Sequence, residues 1–242
     1  MGGHFDAVGF GDPALGFEAT REHLRSAVRE GRRVAEADDV VYYELATPEG
    51  CGLTAATDRG GFLLNGCPFF HGRHVQEALI DSLSAWDAVE PDQGGASGRL
   101  LGADGSPGPE VIFALPRFAA ERSVGWQGQQ PVNLVGLGYR AWTQAGDRTM
   151  LPEGGPTTYL RTVGLERDLP PIRRCNVDCR GLIQRAAFLT NSHTGARLAY
   201  ALLDCSTVRI EVVIDLPSLS GGLAEGAYLE GSFWLVGQPA EK

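Results

Sequence analysis

The stretch Cys175–Gly237, CNVDCRGLIQRAAFLTNSHTGARLAYALLDCSTVRIEVVIDLPSLSGGLAEGAYLEGSFWLVG, decides how the rest of the chain is read. From Val208 to Asp215 it alternates, with Val208, Ile210, Val212 and Ile214 on one side and Arg209, Glu211, Val213 and Asp215 on the other. A side-chain period of two, with β-branched residues on one face, is what a half-buried strand requires. Arg197–Asp204 (RLAYALLD) precedes it as a second strand, and Val177–Leu189 (VDCRGLIQRAAFL) is long enough for a bent first strand. Gly181 stands where such a strand could kink, because glycine inside a strand often marks a bulge or bend. Thr190–Gly195 is a polar hairpin connection, Leu216–Gly226 a Pro- and Gly-bearing link, and Ala227–Val236 (AYLEGSFWLV) a closing strand.

This order of a long glycine-bearing strand, a hairpin, an "IEVVID" strand, a connection and "GSFWL" resembles an OB-fold over about a quarter of the chain. The same segment is similar to uncharacterised proteins of high-GC bacteria. An OB-fold has five strands, and the chain ends too soon after Trp234 to supply the last. The fifth strand must then come from the middle region or be absent. The middle region offers an echo: Glu110–Pro116 (EVIFALP) parallels Glu211–Pro217 (EVVIDLP). Each is followed by an aromatic strand, Val132–Trp142 (VNLVGLGYRAW) and Ala227–Gly237. The pair reads as an internal repeat of a half-barrel, as two halves of one larger β-structure, or as chance similarity of strands.

Upstream, Phe5–Gly11 reads as a short strand, and Phe17–Glu30 (FEATREHLRSAVRE) as a helix with Leu24, Ala27 and Val28 on its apolar face and Gly31 as its stop. Val40–Ala46, Cys51–Thr57 and Phe62–Asn65 follow as a three-strand meander. Val75, Leu79, Leu83 and Trp86 recur at three- and four-residue spacing, which predicts a second helix over Arg73–Val89. The turn-rich Pro91–Gly108 reads as a boundary, and Leu151–Pro171 as an irregular arm with a short strand near Thr158–Val163. The expected class is α+β: a strand-helix-meander domain over 1–92, a linker over 93–108, and a mostly antiparallel, barrel-like (OB-like) β domain over 109–242.

Composition bounds the function. The net charge is −9, with 20 of the 21 basic residues arginine. Residues 1–150 carry 12 Arg against 20 acidic groups, a net −8, whereas residues 172–242 carry seven of each sign. Nucleic-acid affinity rests largely on cation–phosphate contacts, so this balance argues against a nucleic-acid partner. No run approaches the roughly 18 apolar residues of a membrane helix, and MGGHFDAVGF lacks the basic and apolar regions of a signal peptide. A cytoplasmic protein with no membrane partner is expected. Five cysteines, Cys51, Cys67, Cys175, Cys179 and Cys205, are then buried thiols and not a disulfide framework.

Candidate chemistry is sparse. His71 and His74 near Cys67 offer three zinc-type ligands, where a structural site needs four and the nearest other candidate is Cys51. Cys175 and Cys179 stand four apart without a second pair. No nucleophile elbow or phosphate loop is present, and Gly136-Leu137-Gly138 lies inside a strand-like run. No cofactor is expected. The strand-helix-meander resembles half of a glyoxalase-like (vicinal oxygen chelate) module, and that resemblance implies a metal at His4 and Glu44. The OB resemblance places ligands across the second and third strands and the flanking loops. Those positions are Tyr200, Arg209 and Glu211, with His193 at the hairpin tip and Trp234 as an aromatic platform or, alternatively, core filling. The reading is a non-catalytic binding or interaction module for a protein or small molecule, with self-association open. A metal-dependent glyoxalase-like enzyme and a single-strand nucleic-acid binder are its alternatives.

Overall fold

Two long strands lie at the centre of the fold: β8 (Gly128–Gln144) and β14 (Tyr228–Pro239), paired antiparallel from Val132↔Pro239 to Gln144↔Tyr228. The computed structural model describes residues 4–11, 17–87, 92–144, 158–163 and 171–240, and it is mostly β, with one large and one small sheet. The small sheet is an antiparallel meander of β1 (Arg32–Ala37), β2 (Val40–Ala46), β3 (Cys51–Asp58) and β4 (Leu63–Phe70). Helix α1 (Phe17–Glu30) packs on it, with Leu24 and Ala27 buried. The expected helix and meander are therefore present, with β1 as an additional strand. Phe5–Gly11, read as a strand, instead contains a 3-10 turn at Asp6–Val8.

The large sheet contains β5 (Val75–Ala85), β6 (Gly94–Leu101), β7 (Pro107–Ala114), β8, β9 (Tyr159–Thr162), β10 (Asn176–Thr190), β11 (Arg197–Cys205), β12 (Val208–Asp215), β13 (Leu219–Ser220) and β14. Its pairings close on themselves twice. One ring runs β10, β11, β12, β8, β14 and back to β10, with β12 parallel to β8 and the other neighbours antiparallel. The other runs β5, β6, β7, β14, β8 and back to β5, with β7 parallel to β14 through Ala114↔Val236. The two rings share β8 and β14. The first half of β8 pairs with β5 and its second half with β12; the first half of β14 pairs with β10 and its end with β7.

Each ring is fed by the same chain order of three antiparallel strands, a short helix and a long strand. In one, α2 (Phe118–Ser123) separates β7 from β8; in the other, a 3-10 turn at Leu216–Ser218 separates β12 from β13 and β14. The echoed segments Glu110–Pro116 and Glu211–Pro217 therefore occupy equivalent places, β7 and β12, and the aromatic segments are β8 and β14. Both opening strands carry a register shift after an isoleucine, between Ile80 and Ser82 and between Ile183 and Arg185. Gly181 lies just before the second shift and serves packing: a Cβ there would come within 2.7 Å of Leu203 Cβ.

The alternation in β12 is realised in the packing. Val208, Ile210, Val212 and Ile214 enter the core inside the rings, which also holds Phe113, Leu134, Ile183, Phe233 and Leu235. Val213 faces the other way, into a second core with Leu53, Phe69, Leu137, Leu198 and Trp234, where the small sheet packs on the rings. Burying each such side chain contributes roughly 1.5–3 kcal/mol.

Two further sequence expectations are corrected. Arg73–Val89 is not a helix: β5 covers Val75–Ala85, with Gln76, Ala78 and Ile80 buried and Glu77, Leu79 and Asp81 exposed. Strand partners on both sides, β6 and β8, override the weak helical spacing. The stretch 93–108 holds β6 and the start of β7, a hairpin of the large sheet. The ring that contains 175–237 takes its remaining strand from the middle region, one of the two outcomes that the strand count leaves: β8 supplies it from earlier in the chain. The short strand near Thr158–Val163 is β9, at the sheet edge beside β10; residues 151–157 and 164–170 of the irregular arm lie outside the described residues.

The strand assignment of β5 predicts opposite effects at adjacent positions. Ile80→Ala should lower unfolding free energy by about 2–5 kcal/mol, whereas Leu79→Lys should change it by less than about 0.5 kcal/mol. Chemical denaturation distinguishes this from a helical β5 segment, in which Leu79 would be a core position.

Candidate functional site

Two polar arrangements lie where the small sheet meets the rings. The first is built on Glu211 of β12, which is completely buried on the side of the strand opposite the ring core. Its Oε1 accepts from the Tyr200 hydroxyl at 2.6 Å and from the Arg73 backbone N–H at 3.0 Å, and its Oε2 accepts from the His74 N–H at 3.0 Å. Tyr200 is on β11, opposite Val213 of β12; Arg73 and His74 are in the link from β4 to β5. Burial, and then the bond to Glu211, push the Tyr200 phenol well above its ordinary pKa, so it remains a neutral donor. Gly72 is required by this approach, since a Cβ there would lie 2.1 Å from Glu211 Oε2. Three donors on a buried carboxylate make Glu211 a clamp that fixes the β4–β5 link against the ring.

That link shapes the second arrangement, a cleft of about 400 Å³ whose lining includes Arg32, Glu44, His71, Arg73, Arg117, Asn133 and Gln238. Arg32 and Glu44 are cross-strand partners on β1 and β2. Arg117 precedes α2, and its guanidinium lies 3.9 Å from Glu44 and 3.2 Å from Glu121. Tyr42 of β2 fixes this geometry: its buried hydroxyl accepts from the Ala119 N–H at 3.1 Å, tying the small sheet to α2. Burial raises the pKa of the Glu121 carboxyl, against the lowering effect of Arg117. His71 packs its ring edgewise on Phe69 at 4.7 Å and is exposed on its other side.

Asn133 and Gln238 are Cα partners across β8 and β14. Along the same face, each strand is apolar further in, at Val135 and Leu137 and at Val236 and Trp234, and turns polar where the cleft opens. Gln238 is 7% exposed, and its Nε2 has no hydrogen-bond partner; the buried Oδ1 of Asn133 has none either. Buried polar groups are ordinarily satisfied, so an unpartnered donor and an unpartnered acceptor at paired strand positions on a cleft lining mark a place that a polar group can fill.

The other positions expected from the sequence are dispersed. Arg209 is exposed on a separate cleft of about 350 Å³ with His74 and Gln76, where the Gln76 side chain already donates to the Leu101 carbonyl and accepts from the Arg209 N–H. His193 is exposed on the β10–β11 hairpin, near the rings of Phe10 and His23. Trp234 is 2% exposed, stacks on His4 at 3.9 Å and donates its Nε1–H to the Ile172 carbonyl, so its ring offers no open platform. Trp142 is half-buried. Cys67 and His4 line a small cavity of about 70 Å³ with Trp86, while His71 and His74 line different clefts. Burial lowers the His4 pKa to about 4. His4 and Glu44, the two glyoxalase-like positions, line separate cavities. Among the described residues no group of three or more His, Cys, Asp or Glu is placed to hold a metal ion. Cys51, Cys175, Cys179 and Cys205 are buried and unbridged; burial raises Cys51 to about 11, and the hydrogen bond with Cys205, together with burial, raises Cys179 well above the ordinary thiol value.

Comparison of the chain with protein-family models, with curated proteins and with solved structures gave no match.

The clamp has a direct test. Glu211→Gln places an NH₂ against groups that donate, and should lower unfolding free energy by about 1–3 kcal/mol. Tyr200→Phe, which leaves both backbone donors in place, should cost less. Equal or negligible losses in denaturant titrations would contradict the assigned bonds.

Proposed function

We propose that the chain is a non-catalytic binding module and that its ligand, a small molecule, enters the cleft between the small sheet and the shared β8–β14 pair. The observation that carries this reading is the open donor–acceptor pair of Gln238 and Asn133 on the cleft lining. The volume, about 400 Å³, is within the range of small-molecule sites. Three of the charged groups lining it, Arg32, Arg73 and Arg117, are guanidiniums, which hold and orient ligands without exchanging protons. The remaining carboxylate, Glu44, faces Arg117.

The proposal extends to the fold's kinship. The ring of β10, β11, β12, β8 and β14 has the strand order of an OB-like barrel whose fifth strand, parallel to the third, precedes the other four in sequence. The other ring has the same order, with α2 between its third and fourth strands and β14 as the fifth. On this reading the chain is a duplicated OB-like unit in which each half lends its last strand to the other. The surface of β11 and β12 carrying Tyr200 and Glu211 is then given over to the small sheet and its link, and the ligand site moves to the junction.

Amide NMR spectra recorded with a mixed set of neutral, cationic and anionic fragments test the site. The expected shifts cluster at His71–Arg73, Asn133 and Gln238. Shifts confined to the cleft of His74, Gln76 and Arg209, or none that saturate, would overturn the assignment.

A further inference from the structure

The chemistry lining the cleft also specifies the class of ligand, an inference that rests on the binding reading above. Arg32 and Arg73 are both exposed at the cleft, and neither forms an ion pair with a described residue. The third guanidinium of the lining, Arg117, faces Glu44 and Glu121, which leaves Arg32 and Arg73 as the cations open to the cleft. Glu30 lines only the adjoining groove, together with Arg32, Glu44 and His71. Guanidinium groups match carboxylate and phosphate oxygens with paired hydrogen bonds.

Between the arginines and the sheet, the lining has a different requirement. Gln238 Nε2 is a donor and Asn133 Oδ1 an acceptor, both buried and unpartnered, on adjacent strands at paired positions. A hydroxyl or amide group satisfies both at once, because each can donate and accept. A fully deprotonated inorganic anion such as sulfate has no donor for Asn133. We infer that the cleft takes a small organic anion, with a carboxylate or phosphate held by Arg32 and Arg73 and a hydroxyl or amide group seated on Asn133 and Gln238.

The test uses the full chain and three probes: glycerol 3-phosphate, malate and neutral glycerol. The first two pair an anionic group with a hydroxyl, and comparing them separates phosphate from carboxylate recognition. Saturable amide shifts at the cleft are expected with at least one of the two anions and not with glycerol. The double variant Arg32→Ala/Arg73→Ala should weaken that binding by about tenfold or more, the loss corresponding to charge-assisted hydrogen bonds. Both side chains are exposed, so its thermal unfolding should match the parent and serve as the folding control. Gln238→Met should weaken the hydroxy-anion and raise the melting temperature of the free protein, because it removes an unsatisfied buried donor.

Binding retained within twofold in the double variant would overturn the inference, as would the failure of both anions to bind. If neutral fragments still occupy the cleft in that case, only the ligand class is wrong; if no fragment does, the binding reading fails with it.

Discussion

The antiparallel pairing of β8 with β14 is the constraint on which the rest of the molecule depends. Neither strand belongs to one ring. Each gives one half to the ring built from its own side of the sequence and the other half to the opposite ring. Strand edges left unpaired are a liability that closure removes, and here two closures use the same two strands. Their alternation serves both at once: Leu134, Phe233 and Leu235 point into the ring core, while Val135, Leu137, Trp234 and Val236 support the small sheet on the other face.

The candidate site follows from the same pairing. On the face beneath the small sheet the ribbon is apolar until Asn133 and Gln238, where the small sheet stops covering it and the cleft begins. The surrounding groups are positioned by links between layers: Glu211 clamps the β4–β5 link that carries His71 and Arg73, and Tyr42 ties β2 to α2 beside Arg117. A site assembled from β1, β2, the β4–β5 link, the approach to α2, β8 and β14 exists only when all those layers are docked.

Much of the local structure is legible in the sequence. The period of two in Val208–Asp215, the helix at Phe17–Glu30 and the echo between Glu110–Pro116 and Glu211–Pro217 all correspond to elements seen in the fold. The source of the missing ring strand, the middle of the chain, is also one of the two outcomes that the strand count leaves. What the sequence hides is non-local. Arg73–Val89 carries a weak helical spacing, and only pairing with β6 and β8 makes it a strand. Tyr200 and Glu211 read as outward residues because nothing in their neighbourhood announces that the β4–β5 link will cover them. Arg32, Arg117, Asn133 and Gln238 are spread over more than 200 positions of sequence, so no spacing joins them; the one local trace is the polar ending of two apolar strand faces, Asn133-x-Val135 and Val236-x-Gln238.

Native-state hydrogen exchange is the most direct measurement of the shared-strand architecture. Strands that complete both rings cannot open with one ring alone, so the amides of β8 and β14 should share a single opening free energy with those of β5–β7 and β10–β12. If the amides of one ring instead exchange as a separate, less stable unit while the other ring keeps β8 and β14 protected, the two rings are not one cooperative structure and the account of a shared pair is wrong.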